Sequence, residues 1–220
     1  PKDITLLAER MIREMGNGTN PSNNTKAKGS QLSQLNTPQT QINAVRKKYE
    51  GTSQWMKAPN GQPTKLNEMQ WLQVRTPNFK AWFGDWENDA KNASKVVDAN
   101  GEPMVVYHGT RTKEKFTEFY TFTAGIFGAG AYFTVRKHEA GGYAKGGEIY
   151  EAFINVKNPL SLSDKAFMQN YFRPATQDEA ISLGYDAVIT TTGAEHKIDY
   201  VIAFDPTQIK SATSNTGEFN

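Results

Sequence analysis

The stretch FGAGAYFT, residues 127–134, sets two glycines directly before two aromatic rings. The dinucleotide-binding fingerprint needs a third glycine where this chain has Phe133, and a P-loop needs a Gly-Lys-Ser/Thr run that does not follow. The pair Gly128 and Gly130 is therefore weak evidence for phosphate binding. It does permit close approach of the backbone to a ligand, and Tyr132 supplies a flat face beside it. Taken alone, the stretch predicts a turn that leads into a buried strand.

The segments around this stretch indicate an α+β fold. Runs rich in β-branched and aromatic residues predict strands over 103–110, 131–134, 148–156, 185–191 and 199–205. Helices are predicted over 136–144 and from Thr176, where Glu179 completes a capping box. Strands outnumber helices and do not alternate regularly with them, so we expect a mainly antiparallel sheet.

The chain divides into four predicted parts. Apolar residues recur at helical spacing over 1–16, which predicts an amphipathic helix. Residues 17–41 are mostly Asn, Ser, Thr, Gln and Gly, and they indicate a linker because they bury too little apolar surface to offset the entropy of ordering. Residues 42–100 hold all four tryptophans and are predicted to be the helical first part of a catalytic domain whose core spans 101–220.

Composition argues against several functions. The 220 residues carry a formal charge of only +2, so the whole chain has no strong attraction to nucleic acid or membranes. It contains no cysteine and three scattered histidines, which argues against a disulfide framework or a metal site. No apolar run reaches the roughly 18 residues that span a bilayer. We expect a soluble cytoplasmic protein that needs no metal.

Two further segments carry groups with catalytic potential. The run VVYHGT puts His108 and Gly109 at the end of a predicted strand, where the backbone can turn into a pocket. Glu195 and Asp199 lie just before, or at the start of, the last predicted long strand. Alone, each of these side chains has an ordinary structural interpretation: a satisfied histidine or a solvated carboxylate.

Taken together, four features in a fixed order resemble the ADP-ribosyltransferase superfamily, on its diphtheria-toxin and poly(ADP-ribose) polymerase side. They are the motif HGT, the motif FGxGxYF, a second tyrosine eleven residues after Tyr132, and a late acidic strand segment that ends in FDPTQIKS. The string NFKAWFGDWENDAKNASKVVDANGEPMVVYHGT is similar to ADP-ribosyltransferase-like domains in multidomain proteins of phages and bacterial mobile elements. The resemblance covers roughly Trp71 to Ala212. It implies a split, mostly antiparallel sheet that binds NAD in a cleft.

The resemblance also implies roles for individual residues. His108 would hydrogen-bond the adenosine ribose, the Gly109 backbone would hold the nicotinamide carboxamide, and Tyr132 and Tyr143 would cover the two faces of the nicotinamide ring. The implied NAD-binding set is His108, Gly109, Thr110, Gly128, Gly130, Tyr132 and Tyr143, and the implied catalytic set is His108, Tyr132, Asp199 and Glu195, with no metal ligand.

Two positions depart from the family pattern. Where the family usually has a Glu at the start of the last-but-one strand, the nearest match is Asp199, and counting back from Asp205 points one residue later, at Tyr200. A strand bulge would reconcile the count; otherwise Glu195 could take the role. Ala140 stands where polymerase-like relatives have a serine that binds the carboxamide, which could weaken NAD affinity.

The resemblance favours mono-ADP-ribosylation of a macromolecular acceptor, protein or nucleic acid, by a bacterial or phage toxin or conflict enzyme, with a neutralising partner protein as a further possibility. An Asp suits transfer of a single unit, because the polymerising members keep a Glu to activate the growing chain. Three alternatives stay open: an NAD glycohydrolase, an inactive NAD or ADP-ribose binding module, and a nucleic-acid-binding domain that uses the basic N-terminal arm and the tryptophan-rich segment.

Overall fold

The structure is a computed structural model, and it describes residues 39–116, 119–121, 124–125, 128–163, 177–192 and 197–213. The predicted helix over 1–16, most of the predicted linker, Thr176 and Glu195 lie outside the described residues. The sequence-based division of the chain into four parts stays a prediction.

Within the described residues, three helices precede the sheet: α1 (Gln39–Tyr49), α2 (Glu68–Gln73) and α3 (Pro77–Phe83). Asn67 begins α2 through a reciprocal capping box with Gln70, so two backbone N–H groups that lack helical partners are satisfied. Thr76 caps α3, and Pro77 follows it at a position where a missing N–H costs nothing. Local chemistry thus determines where these short helices begin.

From residue 106 onward, the part of the chain that the structure describes forms nine strands, with two more helices between them. The strands are β1 (Val106–Thr110), β2 (Ala124–Gly125), β3 (Gly128–Ala129), β4 (Ala131–Thr134), β5 (Glu148–Ile154), β6 (Pro159–Ser163), β7 (Ala187–Thr192), β8 (Lys197–Ala203) and β9 (Ile209–Ser211). The helices are α4 (Lys137–Ala144) and α5 (Gln177–Ser182), and a short 3₁₀ helix, Pro206–Gln208, precedes β9.

Seven of these strands form one sheet in the order β6-β7-β8-β4-β1-β5-β9, and β2 pairs with β3 separately. All neighbours in the large sheet are antiparallel except β6 and β7. The expected α+β fold with a mostly antiparallel sheet is confirmed. All five predicted strands are present, whereas the edge strands β6 and β9 and the β2–β3 pair were not predicted.

The core forms on both faces of the central strands. One cluster includes Val106, Phe133 and Val201, and side chains of opposite orientation, such as Ile202, pack in another. This division follows from the alternation of side chains along a strand.

A further cluster attaches the tryptophan-rich part to the sheet. Trp71, Phe79 and Phe83 are fully buried and pack with Phe153 of β5. Trp86 is also buried, so these rings contribute to the core. Among the described residues, no helix is long and apolar enough to cross a membrane.

Candidate functional site

The predicted site segments lie on three adjacent strands. His108 and Gly109 are on β1, Tyr132 is on β4, and Asp199 is on β8, in the sheet order β8-β4-β1. Neighbouring strands in a sheet are about 4.8 Å apart, so segments far apart in sequence meet within two strand spacings. The antiparallel register aligns Tyr132 with Ile202.

The strands β1 and β4 separate near the predicted site. In the described part of the chain they pair at one position, Tyr107 with Thr134, whereas β1 pairs with β5 at five positions, from Val106 to Thr110. The Nδ1 atom of His108 lies 2.8 Å from the backbone oxygen of Tyr132. A side chain therefore bridges the two strands where the β1–β4 ladder has ended.

The surroundings of His108 favour its neutral form. Its ring packs edge-on against Phe119, with centroids 5.1 Å apart, and also contacts Phe116 and Phe133. This burial lowers the pKa of His108 below its usual value. Because a carbonyl oxygen only accepts, Nδ1 carries the proton of the neutral ring and Nε2 is the acceptor.

The ring of Tyr132 packs with the cluster that contains Ile202, whereas His108 packs with the rings around Phe133. The hydroxyl of Tyr132 donates a 2.6 Å hydrogen bond to the backbone oxygen of Gly128. A Cβ atom on Gly125 would lie 2.4 Å from the Tyr132 ring, so glycine is required where this ring crosses the β2–β3 pair. The structure brings His108 and Tyr132 together through a backbone oxygen rather than through their two rings.

Glycines near the site allow neighbouring parts of the protein to pack where a Cβ atom would collide with them. Gly130 has a φ of +153°, and a Cβ there would lie 2.3 Å from the side chain of Ile202. A Cβ on Gly109 would lie 1.9 Å from the backbone oxygen of Ala140, so helix α4 packs directly on β1. Tyr143, on the same helix, is 62% exposed.

Asp199 lies in a β-bulge. Tyr200 pairs with Thr190 and Ile198 pairs with Thr191, so the ladder between β7 and β8 skips Asp199. Such a bulge is what Asp199 needs to take the acidic position of the family, and the assignment of that position stays a prediction. Asp199 is only 9% exposed, and its carboxylate forms an ion pair with Arg136.

Arg136 and Glu139 belong to this site and were not predicted. Arg136 Nε donates to Glu139 Oε1 over 2.6 Å. The other carboxylate oxygen, Oε2, accepts from the hydroxyls of Thr134 and Tyr200, each at 3.0 Å. An Arg and a Glu three residues apart at a helix start are a recognisable ion-pair spacing, but nothing local links that pair to Asp199.

Electrostatics within this network are consistent with its geometry. The hydrogen bond from Arg136 lowers the pKa of Glu139, and the two carboxylates together raise the pKa of Arg136. Burial, followed by the hydrogen bond to Glu139, raises the pKa of Tyr200 to about 12. At neutral pH Glu139 is therefore ionised, Arg136 carries its positive charge and Tyr200 is a neutral phenol.

A cavity of about 840 Å³ lies beside this network, between the tryptophan-rich part and the sheet. Ile198 and Val135 line it, together with Asn67, Tyr107 and Glu151, but no predicted site residue does. No group of three or more metal-binding side chains occurs within the described residues.

Comparisons with known proteins point to one family. The family described as "ADP-Ribosyltransferase in polyvalent proteins" matches residues 98–219. A solved structure described as "Crystal structure of an anti-CRISPR protein" is 14% identical, covers 49% of this chain and 93% of its own, and has a TM-score of 0.25, too low a likeness to bear on function. A search of curated proteins found no significant match.

Proposed function

This chain belongs to the family of ADP-ribosyltransferases in polyvalent proteins, and we propose that it cleaves NAD and transfers one ADP-ribose unit to a macromolecular acceptor. The observation that carries the proposal is the single region 98–219, which matches the family and contains the β1, β4 and β8 segments as adjacent strands. The acceptor class, protein or nucleic acid, is part of the proposal and is decided by the experiment below.

Asp199 would supply the negative charge that the reaction needs. Cleavage of the bond between nicotinamide and the ribose C1′ gives an oxocarbenium-like transition state, and a nearby carboxylate stabilises the positive charge as it develops. The bonding electrons leave with nicotinamide, and the acceptor nucleophile forms a bond to C1′ and loses its proton. The bulge at Asp199 supports this assignment, because bulges interrupt the backbone ladder and commonly re-aim a side chain next to an active site.

The separation of β1 from β4 supports the placement of NAD between them. Gly109 lies beyond the last β1–β4 pair, so its backbone edge toward β4 is a suitable partner for a carboxamide. Nε2 of His108, as an acceptor, suits a ribose hydroxyl. Tyr132 and the exposed Tyr143 provide the aromatic surfaces for the nicotinamide ring.

The proposal is tested with NAD that carries isotope in its adenosine part. The protein is incubated with this NAD and with protein and nucleic-acid fractions from bacterial cells, and both nicotinamide release and label on each fraction are measured. We expect release together with covalent label on one fraction, and neither with Asp199→Asn. Release without label would make the protein a glycohydrolase, and NAD binding by calorimetry without release would make it a binding module; either result overturns transfer.

A further inference from the structure

We propose that Arg136 and Glu139 are positioning residues that together hold the carboxylate of Asp199 in its working orientation. The inference rests on the proposed function, because Asp199 is the acid assigned to the reaction there. It adds two residues on a different element, the start of α4, to a site otherwise built from strands.

Asp199 needs an external support. The regular β7–β8 pairing skips it, and its side chain is one methylene shorter than the family's usual Glu. A carboxylate that is 12% exposed at its side chain is costly to ionise without a partner. The guanidinium of Arg136 is that partner, and it comes from outside the sheet.

Arg136 is itself held at three points. Its Nη2 binds Asp199, its Nε donates to Glu139, and its backbone N–H donates to Thr134 Oγ1 over 3.2 Å. A long arginine side chain loses considerable rotamer freedom when fixed in this way. The cost is offset by charge-assisted hydrogen bonds, which are about twice as strong as neutral ones.

Glu139 connects this arginine back to the sheet. Its two anchors, Thr134 and Tyr200, are paired directly across β4 and β8. The strand register therefore determines the position of Glu139, which determines Arg136, which orients Asp199. Because two carboxylates share one guanidinium, the group keeps a net negative charge to face a developing cation.

The charged and titratable groups near the Arg136–Glu139–Asp199 network come from α4 and from β8. Glu139 and Tyr143 belong to α4, and Tyr200 belongs to β8. Lys137 is next to Arg136 but pairs with Glu151 at 2.7 Å, on the cavity side. Lys137 is therefore a matched basic control within one residue of Arg136.

The test compares pH profiles of nicotinamide release by the full chain and by Arg136→Gln, Glu139→Gln and Lys137→Gln. Loss of a nearby positive charge raises the pH at which a carboxylate ionises by about one unit or more. In Arg136→Gln the acid limb, the rise of nicotinamide release with pH on the acidic side of the profile, should therefore move to higher pH. Glu139→Gln keeps an amide oxygen for Thr134 and Tyr200 but releases Arg136. It should lower kcat about tenfold or more through misplacement, with KM for NAD little changed and the acid limb unmoved or lower. Lys137→Gln should match the wild type.

A second measurement follows the carboxyl carbon of Asp199 by NMR without NAD, and its titration midpoint should rise in Arg136→Gln. The inference is overturned, and the proposed function kept, if Asp199→Asn is inactive while Arg136→Gln leaves both the acid limb and this midpoint unchanged. It is also overturned if Glu139→Gln is as inactive as Asp199→Asn, because Glu139 would then be the acid. A wild-type protein that releases no nicotinamide overturns the proposed function and this role together.

Discussion

Arg75 and Arg136 each bind two carboxylates, but the guanidinium of Arg75 is buried whereas that of Arg136 is partly exposed. Arg75 lies 2.8 Å from Glu102 and 3.3 Å from Glu87, with 3% of its side chain exposed. Its guanidinium also lies 3.8 Å from the centroid of the Trp71 ring. This arginine ties the tryptophan-rich part together from within.

Arg136 also binds two carboxylates, but its own side chain is more exposed than that of Arg75. Its side chain is 37% exposed, and the side chains of Glu139 and Asp199 are 26% and 12% exposed. Water reaches Arg136 and Glu139, so breaking their ion pair costs less than breaking a buried one, and a ligand can approach these two side chains. The comparison teaches that the same residue types serve the fold where they are sealed and are available for chemistry where they are open.

The largest effect is expected at the sealed network. Arg75→Ala leaves Glu102 buried without its cation, and breaking a buried pair in this way costs about 3 to 5 kcal/mol of unfolding free energy. Urea unfolding followed by tryptophan fluorescence measures it. Lys65→Ala is the control, because Lys65 is 72% exposed and pairs with Asp98 only at 3.8 Å, for about 1 kcal/mol or less. Equal losses in the two variants would remove the distinction between sealed and open pairs.

The next effect is expected on catalysis rather than stability. Asp199→Asn keeps the shape of the side chain but removes its charge, and the loss of such transition-state stabilisation typically costs a factor of roughly 100 to 1,000 in rate. Steady-state nicotinamide release measures this, and the unfolding free energy in urea should fall by less than in Arg75→Ala, because Arg136 is 37% exposed and keeps Glu139 as a partner. A variant with normal release would mean that the acid of this site lies elsewhere.

A smaller effect is expected when the packing of α4 against β1 is disturbed, and it shows whether the Arg136–Glu139–Asp199 network depends on that packing. Gly109→Ala places a methyl group 1.9 Å from the Ala140 oxygen, so α4 must move away from β1, at a cost of about 1 to 3 kcal/mol. Release should fall as well, because α4 carries Glu139.

Gly142→Ala is the matched control on the same helix, since nothing lies within 4 Å of its added Cβ. It should stabilise the protein by about 0.5 to 1 kcal/mol and leave release unchanged. If both variants behaved alike, close packing of α4 on β1 would not explain the glycine at 109.

The smallest effect is the pH dependence of the open network. The pKa of Glu139 is lowered in the folded protein, so its contribution to stability is present above the unfolded value of about 4.3 and is lost as pH falls through the folded value. At this exposure the contribution is about 1 kcal/mol or less. Unfolding free energies measured from neutral to acidic pH should show an acid-dependent loss that is smaller in Glu139→Gln. An identical acid dependence in both proteins would contradict the prediction.

The main elements of the fold could be predicted because their signals are local. Runs rich in β-branched and aromatic residues predicted β5 and β7. The edge strand β6 has only a short run, PLSLS, and its parallel pairing with β7 depends on a partner 28 residues further on. Such a pairing has no signature within the segment itself.

The candidate site was predicted in part for the same reason. Tyr132 and His108 were selected by their motifs, but the role of His108 Nδ1 as a bridge to β4 needed the separation of two strands. The sequence left Asp199 and Glu195 as candidate acids, with a one-residue count ambiguity between Asp199 and Tyr200. A bulge is a relation between two strands, so the bulge at Asp199 could be seen only in the register of β7 against β8.

By itself, the sequence determined which segments form strands, where the short helices begin, and the order of the segments that carry His108, Tyr132 and Asp199. Each of the first two depends on residues only a few positions apart, and the order is that of the chain. The tertiary structure alone decided that Arg136 and Glu139 join Asp199, since that contact spans 63 positions from Arg136 to Asp199 and requires the pairing of β4 with β8. It also decided which arginine is sealed by tryptophans and which remains open to water, because exposure belongs to the packed molecule and not to any segment of it.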